Sequence, residues 1–396
     1  MVRRIIADQV FAALFKVFSL TGAAALAAIV IFIFVQGAEP FLFPTAKTLR
    51  LVFERLDSVT VNGTVYDNPQ GFIELPWDTK TIAVEFINRG EKRTLAFNLA
   101  PEKNYKTTLL LPIEALDATV AYPDAYSFSV SYPGAVAALS QKIHIILPEP
   151  AYNIISFITG KYWLPTDEKI YGILPMILGS IFVCMGAILL GVPIAILSAI
   201  YMAEFMPKGM ASIFRGGVEL LAGIPSVVYG FFGLMVIVPF IRNIFRVPQG
   251  SSLLAAIIVL SVMILPTIIV VSEKCLKAVP NSRREASLAL GASRMQTAFH
   301  VVLPHAKSGI FAAIILGFSR AVGETMAVIL VAGNSPQMIT NPLQSARTLT
   351  ATIALEMGYA AERHANMLFS VGITLLVMIF ILNGFLLVLR KHAGEE

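Results

Sequence analysis

Six stretches of this 396-residue chain are apolar over the length needed to cross a bilayer, and no other property restricts its fold as much. A spanning helix takes about 20 mostly apolar residues. The stretches run near 18–35, 173–202, 217–241, 253–271, 309–332 and 367–389. The first follows a basic start (Arg3, Arg4, Lys16) but is too long for a signal peptide, and Gln36-Gly-Ala-Glu-Pro is a poor cleavage site. Pro193, Pro225 and Pro266 fall inside runs and are expected to kink helices whose freed carbonyls find neighbouring partners. Apolar residues make up 56% of the chain and charged residues 14%. A soluble chain holds about 45–50% and about 25%, so a soluble globule is excluded, as is intrinsic disorder.

Lys and Arg fall mainly into one set of short loops. With the N-terminus in the cytoplasm, that side carries Lys208, Arg215, Lys274, Lys277, Arg283, Arg284, Arg294 and Lys307, and the opposite short loops carry only Arg242, Arg246, Arg347 and Arg363. The expectation is a multi-pass protein of the cytoplasmic membrane with both termini cytoplasmic. The net charge of +5 therefore reflects orientation in the lipid bilayer and not a nucleic-acid partner. Cys184 and Cys275 are too few for a disulfide scaffold.

Residues 44–150 break the apolar pattern. Alternating runs such as Thr81-Ile-Ala-Val-Glu-Phe-Ile, Thr94-Leu-Ala-Phe-Asn-Leu and Tyr126-Ser-Phe-Ser-Val-Ser-Tyr read as strands. Turn signals at Asn62-Gly63, Asn68-Pro69, Arg89-Gly90 and Tyr122-Pro123-Asp124 separate them. A β-rich extracytoplasmic insert is expected, of a sandwich kind, with no cysteine to staple it. Asn62-Gly63-Thr64 fits a glycosylation sequon, a short pattern frequent by chance. The organisation is then an N-terminus and first span (1–40), the insert (44–150) and a five-helix core (151–396) with a cytoplasmic loop at 273–307.

Enzymatic signatures are missing from the sequence. There is no Gly-x-x-x-x-Gly-Lys-Ser/Thr, Gly-x-Ser-x-Gly, His-Glu-x-x-His or Cys-x-x-Cys. Of the five histidines, His300 and His305 are closest, and an interval of five does not share a helix face, so both read as polar loop residues and no metal site is expected. A non-catalytic transporter, channel or anchored scaffold remains.

The loop at 273–307 is unusual in being apolar outside the runs. It reads as a short helix opened by Pro280 and Ser282, a tight bend at Gly291, and a second helix ended by Pro304. Leu288, Leu290, Ala292, Met295, Ala298 and Phe299 give it an apolar surface, suited either to packing on its own spans or to filling a groove on another protein.

These residues resemble a known family. Glu285-Ala286-Ser287, then Gly291, then Leu303-Pro304 is similar to the EAA signature of membrane subunits of ABC importers, with Ser287 departing from the usual Ala. Downstream, Gly317-Phe-Ser319-Arg320-Ala-Val-Gly-Glu324-Thr-Met, Gly333-Asn334 and Thr348-Leu-Thr-Ala-Thr-Ile-Ala-Leu-Glu356 resemble phosphate-specific permeases, as does Glu219-Leu-Leu-Ala-Gly-Ile-Pro-Ser-Val-Val-Tyr-Gly230. The resemblance is to the C-type more than the A-type subunit, and covers residues from about 150 onward plus the first span but not the insert. It implies an all-α polytopic protein with the six-helix type I ABC importer permease fold around the inserted β-rich domain. It implies Glu285, Ala286, Gly291, Leu303 and Pro304 as the ATPase-coupling loop. The implied partners are a second phosphate permease subunit forming a heterodimer, an ATP-binding subunit dimer that holds ATP and Mg, and an extracytoplasmic phosphate-binding protein. This chain itself would carry no cofactor.

Arg320 and Glu324 lie inside the fifth apolar run, where each charge costs about 2.5–3.5 kcal/mol on insertion scales. Four apart on a continuous helix, they share a face and can pair. Two readings stay open: a structural ion pair, or a substrate path in which Arg320 donates a fork of hydrogen bonds to phosphate and Glu324 holds the guanidinium or accepts a protonated phosphate oxygen. Ser319 and Asn334 are further candidates for the path, although polar residues in spans often only join helices. Arg215 and Glu219 read as an interfacial pair, and Gly217, Gly223 and Gly230 as sites of close helix packing. An ABC permease for sulfate, molybdate or another solute, an ion-coupled carrier or channel, and an anchored sensor are the alternatives.

Overall fold

The computed structural model describes residues 2–43, 48–53, 58–61, 63–67, 72–76, 81–88, 91–101, 107–110, 119–124, 127–132, 141–146, 151–166 and 169–394. The chain divides into two compact units, one of residues 1–37, 157–163 and 172–396 and the other of residues 38–156 and 164–171.

Ten of the strands among the second unit's described residues form two antiparallel sheets. They are β1 (Thr48–Phe53), β2 (Ser58–Val61), β3 (Thr64–Asp67), β4 (Phe72–Pro76), β5 (Thr81–Asn88), β6 (Glu91–Pro101), β7 (Thr107–Leu110), β8 (Thr119–Asp124), β9 (Ser127–Tyr132) and β10 (Gln141–Ile146). They form two five-stranded sheets ordered β4-β1-β10-β9-β8 and β3-β2-β5-β6-β7. The chain changes sheet several times, as expected of a β-sandwich. Val61 and Ile73 are buried. Gly63 turns β2 into β3 at φ +85°, a left-handed backbone that glycine adopts without strain. The turn expected at Tyr122-Pro123-Asp124 lies instead within β8, where the register to β9 shifts between Ala121 and Asp124. β8 is an edge strand, so proline's missing N–H breaks no inner ladder there. Asn62 of the sequon and the pairs Asn68-Pro69 and Arg89-Gly90 lie outside the described residues.

The first unit is helical, and six of its helical stretches are long and apolar enough to cross a membrane. The first is Phe18–Leu42 of α1 (Val2–Leu42), which extends into the second unit. The second is α3 (Leu174–Ile200) continued by a π turn at Tyr201–Phe205, following the short α2 (Ile154–Thr159). A separate helix α4 (Lys208–Gly223) precedes the third, which comprises α5 (Ser226–Phe232), a π turn at Gly233–Ile237 and α6 (Val238–Phe245). The fourth is α7 (Leu253–Lys277). After α8 (Asn281–Ala289), the fifth runs through α9 (Arg294–Thr297), a π turn at Ala298–Val302 and α10 (Leu303–Gly323). Two short helices, α11 (Met326–Val331) and α12 (Leu349–Glu356), precede the sixth span in α13 (Glu362–Gly394).

Two of these spans differ from the sequence expectation. The third starts at Ser226 because Ile224 and Pro225 are extended, so Pro225 separates two helices instead of kinking one. The fifth begins at Arg294 and passes through Pro304, which does not end the helix. A proline inside a helix clashes with the carbonyl four residues back, and the wider π turn immediately before Pro304 relieves that clash.

Helix α7 forms the centre. Val259, Leu260, Met263, Ile264 and Ile268 are all buried. α10 crosses it closely at Gly317, where a Cβ would stand 2.7 Å from Ile268. α5 meets α11 at Gly230, where a Cβ would lie 2.7 Å from the Ala327 Cα. Gly217 and Gly223, expected at such contacts, face open space. α1 reaches α13 at Gly37, whose carbonyl accepts from Ser370 Oγ at 2.7 Å.

One buried carboxylate organises the end of this unit where α7 begins. Glu356 accepts from Arg347 Nη1 at 2.6 Å, from Trp163 Nε1 at 2.8 Å, and lies 2.9 Å from His364 Nε2. Arg347 Nε in turn donates to the Asn334 carbonyl at 2.7 Å. Removing one partner of a buried charged network costs about 3–5 kcal/mol. Glu356→Ala is accordingly expected to lower the thermal unfolding midpoint of the detergent-solubilised protein well below that of Glu356→Gln, which keeps an acceptor.

Candidate functional site

The loop between the fourth and fifth spans is a hairpin of two short helices over an apolar base. α8 closes with the Gly291 N–H donating to the Leu288 carbonyl at 3.0 Å, and Gly291 itself takes φ +86°. Ser293 then opens α9 with a reciprocal capping box to Gln296. The Ser287 and Thr297 hydroxyls, 3.0 Å apart, hold the two arms together. Beneath them Ala199, Ile200, Leu276, Val279, Ala298 and Val302 form a buried cluster, against which Leu303 packs. Among the described residues the upper surface has no partner. Glu285 and Ala286 are exposed, Met295 is 57% exposed and Leu290 90%. An apolar side chain as open as Leu290 at a fixed bend is suited to a protein groove. Of the five residues expected here, Glu285, Ala286, Gly291 and Pro304 are thus exposed, whereas Leu303 belongs to the base.

Two ion clusters under this loop were not anticipated from sequence. Arg284 of α8 forks onto Glu204 of the Tyr201–Phe205 π turn, with Nη2 2.9 Å from Oε1 and Nε 3.2 Å from Oε2. Arg215 of α4 forks onto Glu273 of α7 at 2.5 and 3.1 Å, and Lys277 Nζ donates to the same carboxylate at 2.8 Å. Glu273 is fully buried, so both cations are needed to offset its desolvation. Its carboxylate raises the Arg215 pKa above the ordinary guanidinium value, mainly as hydrogen-bond acceptor. Arg215 thus bonds to Glu273, across 58 residues, and Glu219 of the expected pair adds only a weaker coulombic attraction. The available sequence signal was Glu273, the one acidic residue in the sequence of α7.

Arg320 lies in the last turn of α10, and its Nη1 donates to Thr267 Oγ1 of α7 at 3.2 Å. Thr267 stands 14 residues after the start of α7 and 10 before its end. At 1.5 Å rise per residue these are about 21 and about 15 Å, so the guanidinium sits near the middle of the fourth span. Among the described residues no carboxylate lies within ion-pair distance of it. The one-face pairing with Glu324 does not form, because α10 stops at Gly323 and Glu324 is extended, at φ −71° and ψ 127°. Glu324 instead caps α11, its Oε1 accepting from the Ala327 N–H at 3.0 Å, and its carbonyl accepts from Thr350 Oγ1 at 3.2 Å.

The other two candidates lie apart from the guanidinium in their bonding. Ser319 Oγ donates to Asn383 Oδ1 of α13 at 3.3 Å. Asn334, left-handed at φ 61°, donates from Nδ2 to the Ile329 carbonyl at 2.7 Å and fixes the loop after α11. His300 and His305 lie on the Arg294–Gly323 helix and not in a loop, each ring facing the carbonyl four residues back. No group of three or more His, Cys, Asp or Glu with metal-binding geometry occurs among the described residues.

A family model for "Binding-protein-dependent transport system inner membrane component" matches residues 191–393, which include both the hairpin and Arg320. The chain belongs to this family. It is the non-catalytic, multi-pass permease component of an ABC importer. It is 45% identical over 245 residues to a probable ABC transporter permease protein, YqgH, of Bacillus subtilis, covering 61% of this chain and 78% of that one. It is 33% identical over 247 residues to the phosphate transport system permease protein PstC of Mesorhizobium japonicum, covering 57% and 75%. Among solved structures, a bacterial ABC transporter involved in import of the acidic polysaccharide alginate aligns at 16% identity and TM-score 0.44, covering 56% of this chain and 80% of that one.

The cap role and the charge of Glu324 are separable. Loss of a helix N-cap costs about 1 kcal/mol. Glu324→Gln retains an acceptor for Ala327 and is expected to unfold at the temperature of the parent protein, and Glu324→Ala to unfold lower, in a detergent melting series.

Proposed function

We propose that this chain is the C-type membrane subunit of an ATP-driven importer of inorganic phosphate. The observation that carries the reading is a guanidinium near mid-span, at Arg320, bonded to one threonine and to no carboxylate among the described residues. A charge at that depth is costly and is retained where a pathway needs it. Four of its five N–H groups remain for a ligand, and two can meet phosphate oxygens in parallel. The similarity to PstC supports phosphate as that ligand. Glu324 lies just beyond, and it favours an anion that still carries a proton, since a carboxylate can accept from protonated phosphate and repels a fully ionised oxyanion. Ser319 and Asn334 support this path through the contacts they make rather than by touching the ion.

In this reading the partners are a second permease subunit, a dimer of ATP-binding subunits and an extracytoplasmic phosphate-binding protein. ATP and Mg are held by the partner ATPase. The hairpin around Glu285, Ala286, Gly291 and Leu290 docks into the ATP-binding subunit, which places the hairpin and both termini in the cytoplasm. ATP favours one of two arrangements of the spans by binding its closed dimer better. The inserted domain at 44–150 then lies on the outer face, where it docks the binding protein. Replacing residues 45–147 with a short linker should lower binding-protein affinity while leaving ATPase association intact, as read by surface-immobilised complex. Unchanged affinity and transport would make the insert a brace only.

Loss of hydrogen bonds to a charged group costs about 1.5–3 kcal/mol, or about 10- to 100-fold in occupancy. Uptake of labelled phosphate at low concentration by cells holding the whole system should therefore fall by that factor in Arg320→Gln, with assembly unchanged. Excess sulfate or molybdate should not compete. Normal uptake in the variant would make the charge structural, and competition by sulfate would move the substrate to oxyanions in general.

A further inference from the structure

Arg284 uses every donor it has. Nε faces both Glu204 oxygens at 3.3 and 3.2 Å. Nη2 donates to Glu204 Oε1 at 2.9 Å and to the Leu276 carbonyl at 2.8 Å. Nη1 donates to Asn281 Oδ1 at 3.1 Å and to the Val279 carbonyl. One planar group thus joins three elements: the π turn ending the second span (Glu204), the last turn of the fourth span and the link after it (Leu276, Val279), and the first residue of α8 (Asn281).

These connections differ in kind. α8 follows α7 through the short link Ala278–Pro280, so the chain itself ties the hairpin to the fourth span. Glu204 is 80 residues away, and among the described residues Arg284 makes the one ion pair between α8 and the second span. The pair is mostly shielded, with Arg284 16% and Glu204 13% exposed. An ion pair that has given up solvent adds little net stability, but a saturated guanidinium fork fixes orientation in a way a lysine ammonium does not.

The geometry points to Arg284 as the positioning residue that makes the hairpin, the second span and the fourth span move as one body when the partner ATPase displaces the hairpin. This deepens the proposed function and rests on its reading that the hairpin docks an ATP-binding subunit. With the fork intact, displacement of α8 reaches α3 and α7 together. With it broken, α8 tilts about Ala278–Pro280 and the second span is left behind, so ATP is hydrolysed without a matching transport step.

The test uses the whole importer in liposomes, purified through a tag on the ATP-binding subunit so that only assembled complexes are measured. Uptake of labelled phosphate and release of phosphate from ATP, distinguished by isotope, are followed in the same vesicles for Arg284→Lys and Glu204→Gln. Both variants are expected to assemble and to hydrolyse ATP, with phosphate carried per ATP falling about 2- to 30-fold, the span of substitutions within a coupling network. Proportional loss of uptake and hydrolysis, or no change in either, overturns the inference. Failure of both variants to assemble overturns it too, since the pair is then structural. A Leu290→Cys variant probed with a bifunctional thiol cross-linker tests the docking itself. No cross-link to the ATP-binding subunit overturns the docking reading. A cross-link together with normal coupling in Arg284→Lys and Glu204→Gln overturns the positioning role alone.

Discussion

Hydrocarbon offers no hydrogen-bond partner, so every interruption of a spanning helix must bring its own. Among the described residues two such breaks border spans, one before the third and one after the fifth, and both are closed by side chains. At Ile224-Pro225 the Tyr229 hydroxyl, one turn on, donates back to the Leu221 carbonyl at 2.8 Å. At Gly323–Thr325 the Glu324 carboxylate caps the next helix and Thr350 binds the Glu324 carbonyl. The two interrupted segments also touch, since α5 and α11 meet at Gly230 and Ala327. Irregular backbone is therefore gathered into one place against α7, and the remaining spans are unbroken helices apart from their π turns.

The same constraint sorts the charged groups. Glu273 and Glu356 are buried, and each has at least two donors on its oxygens. These are closed accounts of charge that hold helices in place. Arg320 is different because, among the described residues, its one bond is to a neutral hydroxyl. A cation kept at depth on such a thin connection is what the proposed phosphate path requires. Arg284 shows the opposite extreme, with all donors committed to protein. Two arginines of the same chain thus differ in how many of their N–H groups the fold consumes.

The sequence made the spans legible because burial in lipid writes itself as mean hydropathy over some twenty residues. The same averaging hides a break of two or three residues, which is why the third and fifth runs appeared continuous through Pro225 and Glu324. The Gly291 bend was readable, since a left-handed residue flanked by helical patterns leaves glycine as a local mark. Pro304 was misread as a terminator because the π turn that accommodates it has no sequence signature of its own. The ion clusters could not be read from spacing at all. Arg284 and Glu204, or Arg215 and Glu273, are brought together by helix packing across 80 and 58 residues.

Trp163 reaches its acceptor Glu356 across 193 residues of chain. During synthesis at about 5–20 residues per second, that indole emerges roughly 10 to 40 seconds before the carboxylate it binds. The first five spans must therefore enter the bilayer on their own apolarity, and their mean hydropathies of 2.5, 2.5, 1.8, 3.0 and 1.7 fit that requirement. The end of the bundle held by Glu356 closes only when the last span arrives. A ribosome that stops before residue 356 leaves a fragment whose helices are inserted but whose Trp163 and Arg347 lack the carboxylate that fastens them.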